Sequence, residues 1–172
     1  MTEAPRTAPL RPLDLLRFLH EHGVEHVLIG GFSLAAHGVV RGTKDLDVFP
    51  APDTANLRRL ASALDTLGAR AHGMDDFQPE ELPAQLDAEG LGAGGNWVLF
   101  TRFGRLDVIQ HVEGVRGWEQ LRAGAIPFDV PGLGHAPLFA GLEDLVAMKR
   151  AAGRDQDLMD IAELERARGA LG

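Results

Sequence analysis

The chain has no cysteine and no tyrosine, and aromatic residues make up only 6% of its 172 positions. Without cysteine there is neither a disulfide framework nor a thiolate-ligated metal centre, which fits a cytoplasmic location. Positive charge is also scarce, with 17 Lys and Arg against 25 Asp and Glu and a formal net charge of −8. Extended binding to nucleic acid wants a basic face, so a broad electrostatic footprint is disfavoured, while a local basic patch is still allowed. No apolar run reaches the ~20 residues of a membrane-spanning helix. The opening MTEAPRTAPLRPLD has no apolar core of a signal peptide. A soluble intracellular protein with no membrane partner is expected.

What is present is ordinary for a globular protein: 45% hydrophobic and 24% charged residues, with enough length for one core. There is no internal repeat and no low-complexity stretch. Residues 1–10 read as a loose tail and 11–172 as a single domain, with a core over 24–112 and C-terminal helices over 140–169. After Pro12, LDLLRFLHEHG carries apolar residues at helical spacing and stops at Gly23. VEHVLIGG reads as a strand feeding a tight turn, and a short helix is expected just after Gly31. DLDVFP reads as a second strand closed by Pro50. PDTANLRRLASALDTLG is the clearest helix, capped by Asp53 or Thr54. A short helix is expected around Glu80 to Glu89, and NWVLFTRFGRLDVIQHV reads as a hairpin turning near Gly104. GWEQLRAGA gives a short helix, AIPFDVPGLGHAPLFA two strand-like pieces, and the chain ends in two helices parted by Gly153. The whole predicts an α/β (α+β) fold, a small mixed sheet backed by helices with a C-terminal helical pair.

The DLDV strand poses a conflict. Side chains alternate along a strand, so Leu46 and Val48 can be buried on one face while Asp45 and Asp47 share the other. Two carboxylates that close raise each other's proton affinity unless a cation neutralises them, and Mg²⁺ takes hard oxygen ligands of this kind. Asp107, in the strand GRLDVIQ, supplies a third carboxylate if that strand lies alongside. Three converging carboxylates suffice for two metals and in-line phosphoryl chemistry. An isolated D-x-D among 25 acids also arises by chance, and a solvated strand face explains it equally. The upstream Gly30-Gly31 pair, ending a strand and opening a helix, marks a place where backbone N–H groups favour a phosphate, with Ser33 adding a hydroxyl. A plain tight turn would use the same glycines.

Ile29-Gly30-Gly31, thirteen intervening residues and Asp45-Leu46-Asp47-Val48 together resemble the defining motif of the nucleotidyltransferase superfamily with the DNA polymerase β-like fold. Arg41-Gly-Thr43-Lys-Asp45-Leu-Asp47 is similar to the form found in bacterial minimal nucleotidyltransferases, including toxins of AbiE/MenT type. The resemblance implies Asp45, Asp47 and Asp107 as ligands of two Mg²⁺ ions. It further implies Gly30, Gly31 and Ser33 on the phosphate side of an NTP such as ATP, with Arg41 and Thr43 near the nucleotide. LEDLVAMKRAAGRDQDLMDIAEL is similar to a segment of the same group, in which Lys149 would reach the triphosphate and Asp157 would orient it. Asp160 is expected to cap or support the last helix. The resemblance spans roughly residues 25 to 50, 98 to 111 and 140 to 165.

The implied reaction is transfer of an NMP to a hydroxyl on an RNA or tRNA end, a protein side chain or a small molecule. A toxin of this type implies an antitoxin partner, and a tRNA end could use a patch of Arg58, Arg59, Arg102 and Arg105. The rival is a nucleotide-binding protein of the same fold without turnover. His37 is expected to be structural, Trp97 and Trp118 to fill the core, and His20, His22 and His26 to be solvated.

Overall fold

The apolar alternation of the central strands gives the sheet two buried faces, and each face collects its own helices. The computed structural model describes residues 8–73 and 85–171. The first helix, α1 (Pro12–Glu21), starts on a proline at the position where the missing N–H costs nothing and buries Leu15, Leu16 and Leu19. Strand β1 (His26–Ile29) is buried at every position, as befits a central strand covered on both faces. It runs through Gly30 into a 3₁₀ turn, Gly31–His37, rather than an α-helix.

Strand β2 (Asp45–Pro50) follows, then α2 (Thr54–Thr66), whose N-terminus is capped by Asp53 accepting from the Asn56 amide. Asn56 is fully buried and ties this helix to the strand ends. Its Oδ1 accepts from the Glu25 amide at 2.7 Å, and its Nδ2 donates to the carbonyls of Glu25 and Ala51 at 2.9 and 2.8 Å. The two-residue strand β3 (Arg70–Ala71) precedes a one-turn helix, α3 (Ala88–Gly92), capped by Asp87. The helix expected around Glu80 lies partly outside the described residues. The expected hairpin is present as β4 (Trp97–Thr101) and β5 (Gly104–Val108), paired antiparallel. Next come α4 (Trp118–Gly124), the short antiparallel strands β6 (Ile126–Pro127) and β7 (Leu138–Phe139), and helices α5 (Leu142–Ala152) and α6 (Asp155–Leu171). Gly153, at φ +63°, makes the left-handed turn between the last two.

The strands form one mixed sheet in the order β3-β4-β5-β2-β1-β7-β6. On one face Leu28, Leu46, Val48, Leu106 and Val108 meet the leucines of α1 and α2. On the other, Val27, Ile29 and Phe49 meet Leu145 and Met148 of α5 and Leu164 of α6. Asp45 and Asp47 alternate with Leu46 and Val48, so they point to this second face, where Phe49 two residues on is already core. Trp97 joins the first cluster and Trp118 packs on the second. No helix among the described residues is long and apolar enough to cross a membrane.

The histidines divide. His22 stacks on Phe18, and His20 stacks on His135 with ring centroids 3.8 Å apart. His26, expected to be solvated, is only 8% exposed because it opens the central strand, and its Nε2 has no partner. Burial holds its pKa down at about 4, against 6.5 for a free imidazole. His37 bonds the Ala140 carbonyl at 2.8 Å, a structural role as expected.

Candidate functional site

Three carboxylates gather where β2 and β5 run parallel. The register sets Asp45 beside Arg105 and Asp47 beside Asp107 on adjacent strands, all on the α5 side of the sheet. Ligand oxygens of Asp45, Asp47 and Asp107 lie within 4.8 Å of one another. Oxygens that share one divalent ion at ~2.1–2.4 Å stand no more than ~4.2–4.8 Å apart, so the cluster fits such an ion with small side-chain adjustments.

The electrostatics point the same way. Partial burial, then the charges of Asp45 and Asp107, push the Asp47 carboxyl up from 3.8 to about 7, and Arg105 pulls against this. Arg105 donates from Nε and Nη2 to the two oxygens of Asp107 at 2.8 and 2.7 Å, and its Nε lies 3.6 Å from Asp45. Three carboxylates this close repel one another, and a cation among them would relieve that repulsion.

The glycine turn is built against the same cluster. Gly30 has φ +72°, and a Cβ placed on it would come 1.8 Å from Asp47 Oδ2. A Cβ on Gly31 would meet the tips of Arg41 and Thr43 at 3.2 and 3.3 Å. Ser33 is fully buried, and its hydroxyl donates to the Gly30 carbonyl at 2.6 Å, bracing the turn. Thr43 donates to the Asp45 carbonyl at 2.9 Å and so fixes the start of β2. The short helix expected after Gly31 is a seven-residue 3₁₀ helix, so the N–H groups at its start belong to a 3₁₀ turn.

Opposite the strands stands a buried ion network from α5 and α6. Lys149, 6% exposed, reaches Asp160 at 2.8 Å and Asp157 at 3.5 Å. Asp160 also takes a two-pronged contact from Arg41, 3.0 Å on each arm, and a hydrogen bond from Gln156. It lies inside α6 and so does not cap it, but it supports the helix by joining it to Lys149 and to the loop before β2. Burial opposes its charge, but the bonds from Lys149, Arg41 and Gln156 outweigh this and hold its carboxyl below the usual range. At Asp157 burial is likewise outweighed, by Arg154, which donates to it at 2.6 Å, and by Lys149. Arg154 and Asp160 are functional candidates that sequence reasoning left aside. The signal for Asp160 was its place three residues after Asp157, on the same helix face.

A cavity of about 230 Å³ lies between the two sets. Gly30, Asp47, Lys149, Arg154 and Asp157 line it, with apolar walls from Ile109, Val112, Leu145 and Met148 and polar groups from Asn96 and His111. The arginines proposed as one basic patch do not converge. Arg59 bonds the Gly23 carbonyl and Arg102 the Thr66 carbonyl, on the α2 side of the sheet, whereas Arg105 faces the carboxylates.

Buried groups of opposite sense make a testable pH signature. Between pH 3.8 and about 7 the folded chain keeps a proton on Asp47 that the unfolded chain releases, so this group's stabilisation declines as pH rises. Between 6.5 and about 4 the unfolded chain takes up a proton that buried His26 refuses, so stability declines as pH falls. Asp157 and Asp160, held low, act below that window. Without divalent ions, Asp47→Asn should lose stability from pH 6.5 to 4, and His26→Phe should gain it, as read by urea denaturation across pH.

The arrangement is that of a polymerase β-like nucleotidyltransferase fold. The chain superposes on the lincosamide antibiotic adenylyltransferase LnuA, solved with lincomycin bound, with a TM-score of 0.58, 12% identity and coverage of 91% of this chain and 98% of that one. It superposes on ANT(2″)-Ia, solved in complex with adenylyl-2″-tobramycin, with a TM-score of 0.55, 16% identity and coverage of 93% and 89%. The solution structure of the antibiotic-resistance factor ANT(2″)-Ia gives a TM-score of 0.53 at 16% identity, over 92% of this chain and 80% of that one. No protein-family model matches the sequence, and no curated protein matches it. At these identities the likeness establishes the fold.

Proposed function

We propose that this chain is a metal-dependent nucleotidyltransferase that moves an NMP from an NTP to a hydroxyl of a small polar acceptor. The observation that carries the reading is the convergence of Asp45, Asp47 and Asp107 on two parallel strands, with Asp47 lining a cavity that Lys149 also lines. In this reading the three carboxylates hold divalent metal, which when bound supplies charge neutralisation for the phosphates and lowers the pKa of a bound hydroxyl. The Gly30-Gly31 turn, braced by Ser33, lies against the phosphates. Lys149 offers its ammonium to the triphosphate, oriented by Asp157 and Asp160. Arg41 and Thr43 fix the loop that leads into Asp45. The acceptor oxygen forms its bond to the α-phosphorus as the bond to the β-phosphate oxygen breaks, pyrophosphate leaves, and the acceptor proton passes to Asp107.

A small acceptor is favoured because Arg59 and Arg102 lie on one side of the sheet and Arg105 on the other, so these arginines do not form one basic patch for RNA. Both named neighbours are antibiotic-modifying enzymes, and lincosamides and aminoglycosides are the first acceptors to test. The test is pyrophosphate release from each NTP with Mg²⁺, in the presence of these compounds, bulk tRNA or protein. Release with a labelled small-molecule product is the expected result. Label carried to tRNA or protein instead would replace the small acceptor with the toxin-type reading and its antitoxin partner. Thermal stabilisation by NTP and Mg²⁺ with no pyrophosphate release in the presence of any of these acceptors would favour the nucleotide-binding rival.

A further inference from the structure

Arg105 shares a strand face with Asp107 and stands beside Asp45 in the parallel register. Its fork takes both oxygens of Asp107, at 2.8 and 2.7 Å, and reaches one oxygen of Asp45 at 3.6 Å. It is thus the cation of a cluster that otherwise holds three carboxylates within 4.8 Å. Its side chain is 39% exposed, so it can swing into solvent without disturbing the core. We propose that Arg105 is a displaceable counter-ion of the carboxylate cluster: it occupies the place of the metal and sets the site's affinity for divalent ions. This rests on the reading of Asp45, Asp47 and Asp107 as metal ligands.

Two physical points carry the proposal. A planar guanidinium bonded in two places to one carboxylate is the strongest neutral arrangement that carboxylate can find within the chain. A divalent ion brought into the same cluster meets a like charge a few ångströms away, so the two cations compete and the arginine yields. The competing role would be a fixed brace that orients Asp107 for the metal, and it makes the opposite prediction. Losing a brace weakens metal binding, whereas losing a competitor strengthens it.

The experiment is Mn²⁺ titration of the full chain followed by electron paramagnetic resonance, for wild type, Arg105→Gln and Arg105→Lys. Arg105→Gln should bind Mn²⁺ about tenfold tighter, since one repelling charge is gone, and Arg105→Lys, which keeps the charge, should stay within about threefold of wild type. Metal-free Arg105→Gln should melt below wild type and gain more in Tm on adding Mn²⁺. A readout on wild type alone covers the case in which the variant does not fold. The Arg105 Nε–H resonance should shift and exchange about tenfold faster with solvent on adding Mg²⁺. Equal or weaker Mn²⁺ binding by Arg105→Gln, or an Nε–H resonance unmoved by saturating Mg²⁺, overturns the counter-ion role alone. Absence of Mn²⁺ binding in all three chains overturns it together with the metal-site reading.

Discussion

Asp47→Asn should abolish nucleotidyl transfer and at the same time make the metal-free protein more stable. The two effects share one cause. Asp47 is partly buried between Asp45 and Asp107, and its carboxyl is pushed up to about 7, so ionising it at pH 8 is work done against burial and two like charges. The amide keeps the shape and removes the charge, which should add on the order of 1 kcal/mol to stability at pH 8 after allowance for solvent screening. The same change deletes the central ligand of the proposed metal site, and the loss in kcat should be about 10³-fold or more, because stabilisation of transferring phosphoryl charge is the main work such a site does. Pyrophosphate release and thermal melts with and without Mg²⁺ read both sides. Mg²⁺ should raise the Tm of wild type and leave the variant nearly unmoved. An active Asp47→Asn enzyme would sink the mechanism.

The part of this site that was legible in the sequence is the part governed by a local period. Leu46 and Val48 against Asp45 and Asp47 is a strand alternation, and the sheet places the four as the alternation requires. The hairpin around Gly104, the Asp53-capped helix and the turn at Gly153 likewise follow from residues within a few positions of each other. What the sequence could not give is register between strands far apart in the chain. Asp107 lands beside Asp47 because β5 pairs parallel to β2, a tertiary choice made by the cores on both faces of the sheet. The same register turns Arg105 from a surface cation, counted with Arg58, Arg59 and Arg102, into the partner of Asp107. His26 is buried rather than solvated for a related reason: it opens β1, which lies inside the sheet between β2 and β7, and a central strand buries both of its faces.

The buried network around Asp160 shows how the two halves of the chain are locked in one arrangement. Arg41 precedes β2 and Lys149 sits on α5, and one carboxylate on α6 holds both. A buried pair of this kind adds little net stability, since desolvation offsets most of the attraction, but breaking it leaves charges without partners. Its value is geometric. It fixes the loop entering Asp45 relative to the helix that carries Lys149, which matters only if both sides must meet one ligand.

Gly30→Ala should damage both stability and transfer, although the residue has no side chain of its own to lose. The backbone there has φ +72°, and an added Cβ would stand 1.8 Å from Asp47 Oδ2 and 2.8 Å from its Cγ. Ile29 is the register partner of Asp47, so the clash cannot be relieved by sliding one strand without breaking the pairing. Either the Asp47 carboxylate rotates out of the cluster or β1 and β2 part. With ψ at −160° the backbone lies in a region open essentially to glycine alone, which costs any other residue about 1–3 kcal/mol, and the overlap should bring the total to about 3–5 kcal/mol. Transfer should fall at least about a hundredfold, because a misplaced ligand is nearly as harmful as a missing one. Gly31→Ala should be milder, since its neighbours are the movable ends of Arg41 and Thr43, and Gly42→Ala, with nothing within 4 Å, serves as the control. A double-mutant cycle isolates the cause. In an Asp47→Ala background the obstructing carboxylate is gone, and Gly30→Ala should then cost less, the ~1–3 kcal/mol of backbone strain plus a tight contact with the remaining Cβ at 3.0 Å. If its cost in thermal or urea denaturation is the same in both backgrounds, the glycine is needed for the turn and not for the carboxylate it faces.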